Sequence, residues 1–159
     1  MRGRMLITVV AALAAVTTAA KFGRAVREGE PAPAVKWGPA PPFLAAGARI
    51  AVLQGDPGQT GVFTIRLEFP AGYVIKPHFH PTDESVTVLS GRFLVGMGDS
   101  VATTGAMVLG PEGFITAPAQ GHHFAIAQRK TVIQVHGEGP FAMTYVNAAD
   151  DPRGTTATR

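Results

Sequence analysis

Residues 72–91 read GYVIKPHFHPTDESVTVLSG. His78 and His80 stand two apart, so on a β-strand both imidazoles leave one face and Phe79 leaves the other. Two nitrogen donors then point at one spot. Pro81-Thr82-Asp83 can bend the chain, after which Glu84 opens a second strand sharing its parity with Val86 and Val88. That parity carries the carboxylate into an apolar interior. An isolated anion there is too costly to keep ionised, and a metal ion beside two imidazoles supplies the partner it requires. The 159-residue chain has no cysteine, so disulfides, Cys-ligated zinc and thiol nucleophiles are excluded and any metal has to be held by His and carboxylates.

Outward from this stretch, turn signals recur every eight to twelve residues: Gly55-Asp56-Pro57-Gly58, Pro70-Ala71-Gly72, Ser90-Gly91, Gly110-Pro111-Glu112-Gly113, Gly121 and Gly137-Glu138-Gly139-Pro140. Short β-branched and aromatic runs lie between them, at 50–53, 62–69, 85–89, 93–97, 106–109, 114–117, 123–127, 131–136 and 141–146. The spacing predicts an all-β sandwich or barrel. Composition agrees, because 19 Gly and 13 Pro against only 16% charged residues leave little room for long helices or a disordered polyampholyte. A second concentration of chemistry is Pro118-Ala119-Gln120-Gly121-His122-His123-Phe124, where a turn delivers histidine to the start of a strand. Four of the five histidines fall in these two places.

These residues resemble the cupin superfamily. Its first motif, G-x5-H-x-H-x3-E-x6-G, is met at every defined position by Gly72, His78, His80, Glu84 and Gly91. The second, G-x5-P-x-G-x2-H-x3-N, keeps Pro118 and His123. Glu112 stands at its leading glycine, Gln120 at the inner one and Ala127 at the Asn. The resemblance covers residues 50–146 and implies a double-sheet jelly-roll barrel around one metal, held by His78, His80, Glu84 and a fourth ligand. His122 and His123 compete for that place, and spacing favours His123. The resemblance also implies a homodimer formed by strand or arm exchange.

Three imidazoles and one carboxylate are too nitrogen-rich for calcium or magnesium and lack the soft sulfur of a copper(I) site. The expected cofactor is one divalent transition-metal ion, Fe2+ or Mn2+ ahead of Ni2+, Cu2+ or Zn2+. Four protein ligands leave positions open, which suits a metal-dependent enzyme acting on a small oxygenated molecule, a dioxygenase or a lyase/isomerase. Glu84 is then a candidate base as well as a ligand. His136 shares parity with Gln134 and Val132 and is a candidate proton carrier in the pocket. The alternative is a non-catalytic binding or sensor module, as in the cupin domains of anti-sigma regulators, its site closed by a fifth protein ligand such as His122.

The ends read differently from the middle. Residues 5–20, MLITVVAALAAVTTAA, follow Arg2 and Arg4 and read as a secretory signal cleaved after Ala20, which predicts an exported protein without stable membrane insertion. Removing residues 1–20 leaves 12 basic against 11 acidic side chains, a net of +1. That balance gives no electrostatic case for nucleic acid. Residues 30–42, EPAPAVKWGPAPP, hold five prolines, and residues 21–44 read as an extended arm whose Trp37 and Phe43 can pack on the domain or on a second subunit. The predicted domain is 45–149, with a flexible tail at 150–159.

Overall fold

The structure is a computed structural model that describes residues 34–154. The signal segment and residues 21–33 of the arm lie outside the described residues. Eleven strands form two antiparallel sheets. The first has the order β1 (Gly38–Pro39), β2 (Arg49–Gln54), β3 (Gly61–Phe69), β10 (Thr131–Gly139), β5 (Glu84–Ser90) and β8 (Phe114–Ala117). The second runs β11 (Thr144–Tyr145), β4 (Tyr73–Phe79), β9 (His123–Ala127), β6 (Phe93–Met97) and β7 (Met107–Leu109). This is the double-sheet jelly roll, as two sheets with free edges rather than one hydrogen-bonded barrel. A 3-10 turn at Ala148–Asp150 is the only helical element among the described residues, and no described helix is long and apolar enough to cross a membrane.

Alternation explains the core. Along β5, Glu84, Val86 and Val88 are buried while the residues between them are half-exposed. Opposite, β9 buries Ala125 and Ala127 on the parity of His123. Phe63, Phe69, Val88 and Val135 are fully enclosed between the sheets. In β4 the pattern changes partway. Tyr73 and Ile75 face the core, yet so do His78 and His80, which have the opposite parity. A register irregularity between Ile75 and His78, in the pairing of β4 with β9, absorbs the difference. The irregularity holds Pro77, which has no N–H to give a regular ladder. Without it, the histidine pair would face away from the core.

The two motif glycines are required by backbone shape. Gly72 has φ 81° and Gly91 φ 92°, both left-handed, and a Cβ on Gly91 would collide with the Lys130 carbonyl and with Thr131. In the second motif the left-handed conformation survives without glycine: Glu112 has φ 70° and Gln120 φ 61°. The turns therefore keep their shape at the cost of local strain.

From Ala34 the proline-rich segment belongs to the domain, because β1 pairs with β2 and the Tyr145 and Tyr73 hydroxyls donate to the Phe43 and Ala45 carbonyls at 2.7 and 2.6 Å. Burial pushes both phenols up to about 12, so they stay donors at any ordinary pH. Leu44 is buried, and Arg49 lies over the Trp37 ring. At the other end, Arg153 donates to the Met143 carbonyl at 3.2 Å, and residues 155–159 of the expected tail lie outside the described residues.

Glu112→Gly should raise stability by about 0.5–1 kcal/mol by relieving a strained turn at an exposed position. Gly91→Ala should cost about 3 kcal/mol or more through the clash with β10. Denaturant midpoints of the two variants, moving in opposite directions, are the check.

Candidate metal centre

The three histidines come from one sheet and the carboxylate from the other. His78 lies on β4 directly across from His123 on β9, and His80 follows just beyond the end of β4. Glu84 is the first residue of β5. Between them, Pro81-Thr82-Asp83 carries the chain from sheet to sheet. The Thr82 hydroxyl donates to the Glu138 carbonyl at 2.8 Å, and the Asp83 carboxylate accepts from the Ala119 N–H at 2.7 Å. Gln120, in its left-handed turn, donates its N–H to the His80 carbonyl at 2.9 Å. The crossover and the turn before β9 thus hold each other.

Each imidazole is oriented by a backbone carbonyl. The Nδ1 atoms lie 2.7 Å from the Lys76 carbonyl for His78, 2.8 Å from Ala142 for His80 and 2.9 Å from Gly121 for His123. A carbonyl only accepts, so each Nδ1 carries the proton and each Nε2 keeps its lone pair. The three rings offer nitrogen atoms within 4.8 Å of one another. Among the described residues, the Nε2 atoms of His80 and His123 are the buried side-chain polar atoms that lack a hydrogen-bond partner. They lie 3.5 and 3.4 Å from Glu84 Oε2, beyond the 2.7–2.9 Å typical of a charge-assisted hydrogen bond. Orphaned lone pairs facing a buried carboxylate are the arrangement a cation resolves, and carbonyls fixing the far ring nitrogens complete it. The residues fit a divalent transition metal.

The electrostatics follow from burial and crowding. Burial pushes His78 down to about 3, with the neighbouring His123 and His80 rings adding to the effect, so it is neutral at ordinary pH. Burial opposes ionisation of Glu84 most, but His123 and His80 outweigh it and hold the carboxyl well below the usual carboxylate range. Burial also disfavours charge on His123, and the Glu84 carboxylate more than offsets it, leaving His123 raised above 6.5. A cation at the Nε2 atoms and a proton on His123 would therefore compete to neutralise Glu84.

Beside the cluster lies a cavity of about 210 Å³, into which His78, Glu84 and His123 open. Its remaining walls are apolar side chains, proline and glycine from both sheets and from the segment Pro41–Leu44. Phe141 forms part of the wall and stacks on His80 at 4.3 Å, fixing the ring that does not itself line the cavity.

His122 is not part of the cluster. It points to the outer face, with Nδ1 2.6 Å from Asp99 Oδ1 and its ring against Phe79. His136 requires a correction. It is exposed on the outer face of the first sheet, 3.1 Å from both the Thr64 hydroxyl and the Gln134 amide, and cannot reach the cavity. Ile133 and Val135 occupy the inward parity of β10, at 2% and 0% exposure. The polar pair Gln134 and His136 marks the outside of the sheet, and those two aliphatic residues were the signal in the sequence. The sequence reading missed the three orienting carbonyls, which side-chain identity cannot reveal, and Phe141, visible only as an aromatic after a Gly-Pro turn.

A family model described as the ChrR cupin-like domain matches residues 31–142. The chain belongs to that cupin family. Among solved structures, the polyketide cyclase RemF from Streptomyces resistomycificus is similar with TM-score 0.60 and 20% identity, over 74% of this chain and 84% of that one. A candidate acetylacetone dioxygenase from Methylibium petroleiphilum matches with TM-score 0.58 and 20% identity, over 93% and 90%. The DMSP lyase DddQ from Ruegeria pomeroyi matches with TM-score 0.55 and 20% identity, over 70% and 60%. At these identities the likeness is one of fold. No curated protein sequence matches the chain.

His80→Ala and Glu84→Ala should each lose bound metal, whereas His122→Ala and His136→Ala should keep it at wild-type stoichiometry, as read by elemental analysis. Metal affinity should fall as pH drops, because His123, whose pKa is raised by the Glu84 carboxylate, must shed its proton to bind. The slope should approach about tenfold per pH unit once that proton is the main competitor, measurable by chelator competition between pH 8 and 5.

Proposed function

We propose that this cupin is a metal-dependent enzyme acting on a small oxygenated organic molecule, with His78, His80, His123 and Glu84 holding one divalent ion, Fe2+ or Mn2+ in first place. The observation that carries the reading is the pair of orphaned Nε2 atoms, on His80 and His123, facing the buried Glu84 carboxylate beside an open cavity. When bound, such an ion supplies Lewis-acid or dioxygen chemistry to a ligand oxygen. The protein's own part is to exclude water with apolar walls and to fix the imidazoles through the Lys76, Ala142 and Gly121 carbonyls. Among the described residues Glu84 is the one carboxylate on the cavity wall, and His123 and His80 hold it ionised there.

The sensor alternative calls for a site closed by a further protein ligand. His122, the residue nearest in sequence to that role, is held outward by Asp99. A candidate dioxygenase, a cyclase and a lyase among the similar structures are in keeping with small-molecule chemistry, and their variety leaves the reaction itself to experiment.

Metal content of protein purified without chelator or affinity tag tests the proposal. Near one equivalent of iron or manganese, followed by turnover in oxygen-consumption or lyase screens on small carbonyl compounds, is the expected result. No metal as purified and none taken up on reconstitution would overturn it.

A further inference from the structure

The cavity's walls restrict its occupant. Of the residues that line it, His78, Glu84 and His123 alone have polar side chains; no lysine, arginine, hydroxyl or amide faces in. All three polar groups sit at one end, where the sheets are joined. The other lining side chains, represented by Ile65, Val95, Ile133 and Phe93, offer no hydrogen bond to any part of a ligand beyond that end. A carboxylate, phosphate or sugar hydroxyl placed against these side chains would lose its water and gain nothing. The volume sets a second limit. A cavity of 150 Å³ lined by aliphatic and aromatic side chains holds benzene, so about 210 Å³ takes a body of roughly eight or nine non-hydrogen atoms.

We infer that the ligand of this site is a neutral, compact molecule of roughly eight or nine non-hydrogen atoms, with oxygen donors at one end for the His/Glu cluster and an apolar body filling the remainder. This rests on the reading of the cavity as the ligand chamber of the metal centre. Sugars, sugar acids, dicarboxylates and phosphorylated compounds are rejected by the walls, whatever the metal. Selection is made by apolar side chains from both sheets and by Phe43 and Leu44 of the proline-rich segment.

The test is a calorimetric comparison of three probes on the full protein, metal-free and metal-loaded. They are heptane-2,4-dione, the same dione with its terminal methyl replaced by carboxylate (4,6-dioxoheptanoate), and 7-methyloctane-2,4-dione, whose terminal isopropyl group matches that carboxylate in size without its charge. Heptane-2,4-dione should bind, and the acid should bind at least about 30-fold more weakly than its size-matched neutral control, since its charge falls against the apolar wall. Equal or tighter binding of the acid, or no binding of either neutral probe to either form, would overturn the inference. Ile65→Phe, on β3 and away from all four ligands, should keep its metal and weaken the dione at least about tenfold by filling the cavity. Should that variant fail to fold, the ratio of neutral to charged probe on the wild-type protein still decides. A protein that takes up no metal yet binds the dione over the acid would sink the metal-centre reading and leave the ligand class standing. Metal at one equivalent with the acid preferred would do the reverse.

Discussion

A buried carboxylate of one sheet faces three imidazoles of the other, and much of the molecule is arranged to make that encounter tolerable. Glu84 sits on the parity of Val86 and Val88, whose inward faces build the core. An anion so placed is destabilising without compensation, and the compensation arrives from β4 and β9 across the sandwich. The pairing is therefore a packing constraint as well as a chemical one. It fixes how β4 and β5 face each other, which is what the short crossover through Thr82 and Asp83 enforces from outside.

The cavity and the cluster depend on one another. The apolar wall that could exclude water from a reaction also raises the cost of every polar atom next to it. That cost is visible in the lone pairs of His80 and His123, left without partners, and in the depressed pKa of His78. Carbonyl acceptors on Lys76, Ala142 and Gly121 limit the damage by holding each ring in a single tautomer. They also deny the rings the rotation that would let Nε2 find some other donor. The arrangement is one that a bound cation would complete.

Much of this was legible in the sequence, for reasons that differ from residue to residue. The period-2 rule gives Glu84 its inward place because Val86 and Val88 share its parity, and motif spacing selects His123 over His122. The same rule applied to β10 went astray at His136: alternation says which residues share a face but not which face is inside, and the aliphatic weight of Ile133 and Val135 decides that. Strand β4 shows a deeper limit. Extending the inward parity of Tyr73 and Ile75 would turn His78 outward, and the irregularity around Pro77 that corrects it is a backbone event with only a proline to announce it. The proline-rich segment shows a further limit. Its prolines forbid a central strand, yet they permit the edge position that β1 takes.

Glu112 and Gln120 show how far such a site can drift in sequence without drifting in shape. Both stand where the motif has glycine, and both keep the left-handed backbone that glycine would adopt at less cost. At Gln120 the strained turn has a visible return, since its N–H reaches the carbonyl of His80 and the next carbonyl, from Gly121, orients His123. Relaxing that turn to an ordinary conformation would redirect both groups and with them two of the three imidazoles. The backbone conformation, more than the residue type, is what the centre requires, and it is sustained by contacts on both sides: Asp83 at Ala119 and the strand pairing of β9 beyond.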